Sequence, residues 1–459
     1  MNKIATIAGL TWKAAFRYRL FWILAALLAA AVVGLPLMLK TDGTAKGLVQ
    51  ILLTYTLGAT ATLLGFATLW LSCGTLARDV EECQMQMVTV KPIARWQVWL
   101  GKWLGILSLD AVLLALAGLA IFVSLQWRAH RLPPDQQRIL REDLFVSRAA
   151  AREPLPDFNK IVDRVMKQTV KDPSTMSDFD LSEIRKQITA RVETNYTALS
   201  PGMARLWGID LHNLKDSLRD KTLQLRIKFH TASGSPDDTY ATLWRVGPTN
   251  SSRQVEMEET LPADSFQEFD LPPNLLDDQG RLFIEVGNPT QTEMFFPLEE
   301  GMELLYPEST FGINFIRGLA IIFFWLALLA SIGLAAASSL SFPVAAFVSL
   351  AVLFIGFSGN IVATVVEQGT IVGFDATKGG YGHSVADYVA VPIFKAVNKI
   401  INLVQGFSPI DSLSSGRSIT WGQLGLAAVQ IVLLLGGFFC VLGIILFARR
   451  ELASAQGNN

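Results

Sequence analysis

Long runs of residues without a single charge dominate this sequence. Four runs contain no Asp, Glu, Lys or Arg, and a fifth contains only Asp110: 20–39, 47–77, 318–366, 418–448 and 103–127. Each run reaches the roughly 20 apolar residues that cross a bilayer as a helix. Charged residues make up 17% of the chain, against about 25% in soluble domains. These runs exclude a soluble enzyme, a secreted disulfide scaffold and a disordered chain, and they predict a polytopic membrane protein.

Six membrane spans are expected. The run 318–366 is too long for one helix, and residues 338–341, followed by Pro343, divide it in two. Because lipid offers no partner to free backbone groups, each span is expected to be helical. The predicted spans are 20–39, 48–72, 104–125, 318–337, 342–357 and 422–446. The predicted fold is therefore an α-helical polytopic membrane protein with six transmembrane helices, interrupted by a large insert.

Basic residues in short flanks set the orientation of membrane spans. They occur before the first span, between the second and third, and after the last: Lys3, Lys13, Arg17, Arg19, Arg78, Lys91, Arg95, Lys102, Arg449 and Arg450. With an even number of spans, all three flanks lie on one side. We therefore expect a multi-pass protein of the inner (plasma) membrane with both termini in the cytoplasm.

Residues 1–18 have the pattern of an amphipathic helix that lies in the cytoplasmic interface. Its predicted apolar side comprises Ile4, Ile7, Leu10, Ala14 and Phe16. The alternative is a cleaved signal peptide. It fits less well, because the uncharged run is long and residues 35–38 lack the small side chains of a cleavage site.

The segment 126–310 is a predicted extracytoplasmic domain between spans 1–3 (residues 1–125) and spans 4–6 (residues 311–459). It contains 22 basic and 30 acidic residues, a balance that does not suggest a nucleic-acid partner. Apolar residues four apart predict helices over 134–220. A period of two then predicts strands over 221–306, at 223–230, 240–246, 265–269, 282–286 and 302–306. We expect an α+β insert ending in a small β-sandwich or jelly roll, which would bind a ligand or dock a partner.

Metal, cofactor and catalytic motifs are not evident. The four histidines are scattered, and Asp237-Asp238 and Asp277-Asp278 are either calcium ligands or ordinary turn residues. Cys73, Cys83 and Cys440 match no metal-binding spacing and are expected to be free thiols. No metal or cofactor is expected on this chain, and no nucleophile–base pair points to an enzyme.

A charged loop follows the second span. Residues 76–90 are expected to form a short polar helix with Asp79, Glu81 and Glu82 in its early turns, where carboxylates suit the helix dipole. Lys91-Pro92 would end it, because a proline disfavours helix in the preceding residue. The alternative is an ordinary charged loop that only fixes membrane topology.

This loop, with the segments after it, resembles the membrane subunit of an ABC type-2 transporter, its permease. The resemblance rests on residues 76–95, on Leu100-Gly101-Lys102-Trp103-Leu104-Gly105, on residues 338–345, on Phe407-Ser408-Pro409-Ile410-Asp411, and on residues 447–452. It covers about 270 residues of the membrane portion in the six-span order. The chain also lacks the G-x-x-x-x-G-K-[ST] motif of an ATPase.

The resemblance implies a permease subunit of an ATP-driven exporter that is not itself catalytic. ATP and magnesium would bind a separate ATPase subunit, and a second permease copy, identical or related, would complete the complex. The implied ATPase contacts on the coupling helix are Asp79, Glu81, Glu82, Lys91, Pro92 and Arg95. The insert of about 185 residues departs from the family and leaves the substrate open. The alternative is a mechanotransmission complex, in which the ATPase drives the insert against an envelope partner without transport.

The membrane portion also contains two charged residues in or beside its spans and one further predicted helix. Asp110 lies about 9 Å inside the third span, where a carboxylate either bonds a neighbouring helix or serves transport. Arg317 is expected near the outer face and is not expected to be its partner. Residues 384–404 alternate apolar and polar sides and predict an outer interfacial or re-entrant helix.

Overall fold

A computed structural model shows two compact units. The membrane unit comprises Met1–Ser147 and Ser309–Asn459, and the β unit comprises Arg148–Glu308. The structure describes residues 3–17, 19–39, 43–82, 85, 93–140, 145–169, 178–231, 238–249, 251, 253–298, 300–372, 374–375, 380–381 and 386–450. The β unit is shorter at both ends than the predicted 126–310.

Most of the chain is helical. The helices are α1 (Lys3–Arg17), α2 (Arg19–Met38), α3 (Ala45–Glu81), α4 (Arg95–Ala129), α5 (Pro134–Ile139), α6 (Phe158–Thr169), α7 (Asp178–Thr197), α8 (Lys215–Leu218), α9 (Phe311–Ala337), α10 (Phe342–Phe357), α11 (Gly359–Gln368), α12 (Asp387–Gln405), α13 (Pro409–Ser414) and α14 (Trp421–Arg449). Within α14, Ala428–Gly436 has the wider turns of a π-helix.

Five of these helices, α2, α3, α4, α9 and α14, are long and apolar enough to cross a membrane. The prediction of several membrane-length apolar helices is therefore confirmed. The remaining predicted span corresponds to α10, whose 16 residues extend about 24 Å. This is less than the roughly 30 Å of a bilayer core, so the count of six spans stays a prediction.

The structure does not show the separate coupling helix that was expected to begin at residue 76. Residues 76–81 are not a separate helix but the last turns of α3, which runs without interruption from Ala45 to Glu81. Leu76 and Ala77 are fully buried, so continuing the helix keeps both side chains in the core and every backbone bond in place. Residues 83–84 and 86–92 lie outside the described part of the chain.

The amphipathic α1 packs against α4 rather than lying free. Its buried residues are Ile7, Thr11 and Ala15, whereas Leu10 and Phe16 of the predicted apolar side are exposed. Gly101 and Gly105 on α4 make this contact possible, because a Cβ at either position would meet α1 within 3 Å. The helix therefore has two apolar sides, one against protein and one exposed.

Between α10 and α14 the chain forms a helical pair. The α12 helix matches the interfacial helix predicted over 384–404, and it packs against α11, which was not predicted. Val391, Ile401 and Val404 of α12 are buried. Its outward apolar residues remain exposed: Tyr388, Val389, Ile393 and Ile400.

The β unit, confirmed as a separate β-rich region, contains most of the strands. The strands are β1 (Val146–Ala151), β2 (Ala198–Leu199), β3 (Ala204–Asp210), β4 (Leu223–Ile227), β5 (His230–Thr231), β6 (Thr239–Val246), β7 (Val255–Pro262), β8 (Gln267–Leu271), β9 (Arg281–Gly287), β10 (Met294–Phe295), β11 (Met302–Thr310), and the pair β12 (Phe374–Asp375) and β13 (Gly380–Tyr381) of the membrane unit. The helical prediction over 134–220 is wrong at β1, β2 and β3, because the spacing of four holds only for α6 and α7.

Two four-stranded sheets form the β unit, in the orders β1-β11-β4-β8 and β3-β9-β6-β7. Numbered one to eight by chain position, their strands run 1-8-3-6 and 2-7-4-5, which is the order of a jelly roll. One hydrophobic core joins the inner faces and includes Ile209, Leu225, Trp244, Ile284 and Leu304. The small sheet β2-β10-β5 lies beside them.

Substitution of Gly105 by alanine tests the packing of α1. The new Cβ would lie 2.7 Å from Thr11 Cβ and 2.9 Å from the backbone oxygen of Ala8, so the two helices must separate. We expect Gly105→Ala to lower the free energy of unfolding by about 1–3 kcal/mol. The measurement is the midpoint of thermal unfolding in detergent, which should fall. Gly9→Ala is the matched control, since nothing lies within 4 Å of its Cβ. Equal midpoints for both variants would contradict this packing.

Candidate functional site

Charged side chains cluster where α3 ends and α4 begins. Lys102 of α4 is 6% exposed, and its Nζ donates to Asp79 Oδ2 at 2.5 Å and to the carbonyl oxygen of Thr75 at 2.8 Å. Both acceptors belong to α3. A buried ammonium requires such partners, because an unpaired charge in the interior is costly. The pair therefore fixes α4 against the last turns of α3.

Glu81 connects α3 to the start of α10. Its Oε1 accepts the backbone N–H of Phe342 at 2.8 Å, and Phe342 is the first residue of α10. A carboxylate at this position satisfies a free N–H and interacts favourably with the positive end of the helix dipole. Arg78 lies above the Phe342 ring, 4.5 Å from its centroid.

Two arginines bind the ends of α14 and α9. Arg95 Nη1 lies 2.9, 2.7 and 2.8 Å from the carbonyl oxygens of Phe447, Ala448 and Arg450, so its two protons face three acceptors at the end of α14. Arg450 Nη1 in turn donates to the carbonyl oxygen of Ala337, the last residue of α9, at 3.0 Å. Cations at helix C-termini are electrostatically favourable.

These contacts form a closed circuit, which we call the polar ring: Asp79, Glu81, Arg95, Lys102 and Arg450. It joins α3 to α4, α4 to α14, α14 to α9 and α10 to α3, while residues 338–341 connect α9 to α10 directly. The ring therefore connects the ends of five helices. All five side chains of the ring bond another helix of this chain.

The structure brings together three of the predicted contact residues, Asp79, Glu81 and Arg95, but each bonds another helix of this chain. Glu82 is exposed, and its N–H continues the helix by donating to the Arg78 carbonyl at 2.7 Å. Lys91 and Pro92 lie outside the described residues. The sequence prediction missed Lys102 and Arg450 as site residues. A basic residue beside an uncharged run was the available signal, and it was used for orientation and for the family resemblance but not to name a site residue.

Asp110 is 2% exposed, within the contact between α4 and α3. The hydroxyl of Thr68 lies 2.9 Å from Asp110 Oδ2 and 2.7 Å from the carbonyl oxygen of Leu64. Among the described residues no cation pairs with Asp110. Asp110 therefore forms a hydrogen bond between α4 and α3, which was one of its two expected roles.

Arg317, which was expected near the outer face, is buried within the membrane unit. It is 5% exposed, donates from Nη1 to the carbonyl oxygen of Ile419 at 2.8 Å, and stacks on Trp421 at 4.4 Å from the ring centroid. Asn314, one turn earlier, bonds the same strand-like segment through Ile419 N–H and the Arg417 carbonyl. The start of α9 thus holds the segment that precedes α14.

In the β unit, Asp277 is a turn residue. Its Oδ1 accepts the backbone N–H groups of Gln279 and Arg281, and its Oδ2 accepts Arg281 Nε. Burial favours the neutral carboxyl, but these backbone bonds and the guanidinium outweigh it and lower the pKa of Asp277. Across the described part of the chain, no three His, Cys, Asp or Glu side chains form a metal-binding group.

Neither a protein-family model, nor a characterised protein, nor a solved structure matches this chain. What the protein does is therefore inferred from its own helix ends, buried groups and surfaces.

Replacing Arg95 tests the polar ring. Arg95→Ala leaves three carbonyls at the end of α14 without their donor, and hydrogen bonds from charged groups contribute about 1.5–3 kcal/mol each. We expect a loss of about 2 kcal/mol in stability and faster proteolysis after α14. Arg449→Ala removes a neighbouring exposed charge and should change neither. If both variants behave alike, Arg95 does not hold this helix end.

Asp277 predicts a pH dependence of the β unit. Because its folded pKa is lowered, the ionised carboxyl stabilises the fold above the unfolded pKa of about 3.9. This contribution is lost as the pH falls through the folded pKa. The difference in unfolding free energy between wild type and Asp277→Asn should therefore be largest at neutral pH and shrink in acid. Asp278→Asn, an exposed neighbour, should show no such change, and a difference independent of pH would refute the explanation.

Proposed function

We propose that this chain is the permease subunit of an ATP-driven ABC transporter, an exporter that works with a separate ATPase subunit. Its membrane unit would lie in the inner membrane with both termini in the cytoplasm and Arg148–Glu308 outside. A second permease copy would complete the pathway. ATP and magnesium would bind the ATPase and not this chain.

The polar ring is the observation that carries this proposal. It lies among the basic flanks that the positive-inside rule assigns to the cytoplasm, in the segment where the family resemblance expects the ATPase. Glu82 is exposed one residue beyond the end of α3. Asp79 and Arg95 bond other helices of this chain. The partner surface is therefore assigned to the exposed end of α3 at Glu82, and the ring to the transmission of force.

The ring suits a rigid-body step. Packed helices joined by hydrogen bonds move together rather than deforming continuously. A push on the end of α3 would pass through Lys102 to α4 and through Glu81 to α10, and from α4 through Arg95 to α14. Closure of two ATPase subunits would thus tilt several spans at once and open a path between two permease copies.

Exposed apolar faces supply surfaces for lipid and for the second copy. Leu116 and Leu119 on α4 and Leu433 and Phe438 on α14 are each at least 60% exposed. On helices of membrane length, such side chains suit contact with lipid or with another apolar surface.

A pull-down from the native membrane tests the proposal. The tagged chain is solubilised in mild detergent, co-purified proteins are identified, and ATP hydrolysis is measured. We expect a P-loop ATPase with the wild type and at least about tenfold less with Glu82→Arg, because a reversed charge at a contact repels its partner. Asp135→Arg, an equal reversal on α5, should recover the ATPase normally.

Either of two results would reject the permease assignment. The first is that no ATPase is recovered under conditions that keep other membrane complexes intact. The second is that Glu82→Arg and Asp135→Arg reduce recovery equally, which would remove the contact from the end of α3.

The separate β unit favours mechanotransmission as the second candidate function. This unit has its own core and its own contact cluster, as expected of a module that acts on an envelope partner. The two functions differ in reconstituted vesicles that contain only permease and ATPase. ATP turnover stimulated by a transported substrate supports export, whereas turnover that requires an added envelope protein supports mechanotransmission.

A further inference from the structure

The solvent face of the sheet β3-β9-β6-β7 contains an open cleft of about 590 Å³. Two rows of side chains cross the sheet here. The first row is Ala204, Gly287, Leu243 and Glu258, and the second is Leu206, Glu285, Arg245 and Glu256. Ala204 and Gly287 contribute almost no side chain, so the first row forms a depression bounded by the taller second row.

The cleft combines an apolar floor with negative walls. Leu243 is 45% exposed in the floor, and Met203 is 64% exposed at the rim. Three carboxylates and one guanidinium line the walls. Arg245 is already engaged, since its Nε donates to Glu256 at 2.9 Å and its Nη1 to Glu285 at 3.0 Å. The net charge of the lining is therefore negative.

Glu258 is the carboxylate without an internal partner. Within the described part of the chain its side chain makes no ion pair or hydrogen bond, although Glu256 two residues earlier bonds Arg245. Side chains two residues apart on a strand point to the same face. They are separated by the rise of two residues, about 6.6–6.8 Å. An extended polypeptide carries its alternate side chains with this same repeat.

The surrounding sequence strengthens the charge of the cleft. Residues 229–310 contain 16 acidic and only 3 basic residues, whereas residues 126–228 contain 14 acidic and 19 basic residues. The acidic excess is thus concentrated in the half of the insert that supplies β6, β7 and β9. A field of one sign steers oppositely charged ligands towards a site.

We propose that this cleft binds an extended polypeptide segment with lysine or arginine at alternate positions. The alkyl stems of these side chains lie on Leu243 and Met203, as long cationic side chains commonly do on apolar surface. Their charged ends reach Glu258 and Glu256. The edge position of β7 in the order of the sheet leaves room for the segment along that strand.

The lining favours a basic peptide over other ligands. Trp244, the aromatic residue that borders the cleft, is 2% exposed, so no open ring offers a stacking platform for a sugar. An anionic ligand would meet only Arg245, which two carboxylates already neutralise. The inference goes beyond the proposed function, because it concerns a partner of the β unit whether or not the membrane unit transports.

Fluorescence polarisation with the full-length chain in an uncharged detergent tests this assignment. The probe is a fluorescein-labelled peptide, Gly-Lys-Ser-Lys-Ser-Lys-Gly, and the controls are its Glu analogue and a peptide with three consecutive lysines. We expect saturable binding of the alternating probe that weakens with added salt. The control peptides should bind less tightly.

Three single variants make the test specific. An exposed charge pair contributes about 0.2–1 kcal/mol, so Glu258→Gln should raise the Kd of the probe by up to about fivefold. Arg245→Gln should lower the Kd, because it removes the one repelling charge. Glu308→Gln is the matched control, with the same charge change at an exposed position of β11 outside the lining of the cleft, and it should leave the Kd unchanged.

The proposal is wrong if the wild type shows no saturable binding, or if Glu258→Gln binds the probe as tightly as the wild type. Weaker binding by Arg245→Gln would also overturn it, since that result assigns the cleft to an anionic or neutral ligand. Equal binding of the Glu analogue, or displacement of the probe by a neutral oligosaccharide, would have the same meaning. Circular dichroism of each variant confirms that the fold is retained.

Discussion

Backbone groups at helix ends need partners, and in the membrane unit side chains of neighbouring helices supply them. Arg95 of α4 faces the last carbonyls of α14, Arg450 bonds the end of α9, and Glu81 of α3 accepts the first N–H of α10. Each cap belongs to a different segment from the helix that it caps. The bonds that satisfy these ends therefore also fix the relative positions of the helices, and loss of one charge loosens two elements together.

The membrane unit also accommodates the inserted β unit between α4 and α9. Just outside the β unit, Phe311 N–H donates to the carbonyl oxygen of Phe145 at 3.0 Å, and the two rings stack with centroids 5.4 Å apart. The two ends of the insertion are thus neighbours within the membrane unit. Insertions succeed where the ends of the inserted domain are close together. Neither α4 nor α9 has to bend or unwind to accept the extra residues.

Patterns over a few neighbouring residues predicted most of the long apolar helices and several of the strands. Long uncharged runs predicted α2, α3, α4, α9 and α14, because a helix that crosses lipid must be both long and apolar. A period of two predicted β4, β6 and β9, and the alternation is strict only at β4. The strands β1 and β3 were not predicted, because their alanine and glycine residues obscure the alternation of apolar and polar side chains. The polar ring was beyond sequence analysis for another reason. Arg95 binds backbone carbonyls 352 to 355 residues away, and a backbone acceptor has no signature in the sequence.

Charge acts over different distances in the two units. At physiological salt, exposed charges are screened beyond about 8 Å, so most of the acidic excess in 229–310 affects the rate of encounter rather than the stability of a complex. Selectivity at the cleft must therefore come from the carboxylates that line it, chiefly Glu258, whose charge is not already neutralised by Arg245. In the polar ring the low exposure of Lys102 weakens this screening. In the ring one buried cation, Lys102, joins two helices, whereas at the exposed cleft the spacing of Glu256 and Glu258 adds to the charge in selecting a ligand.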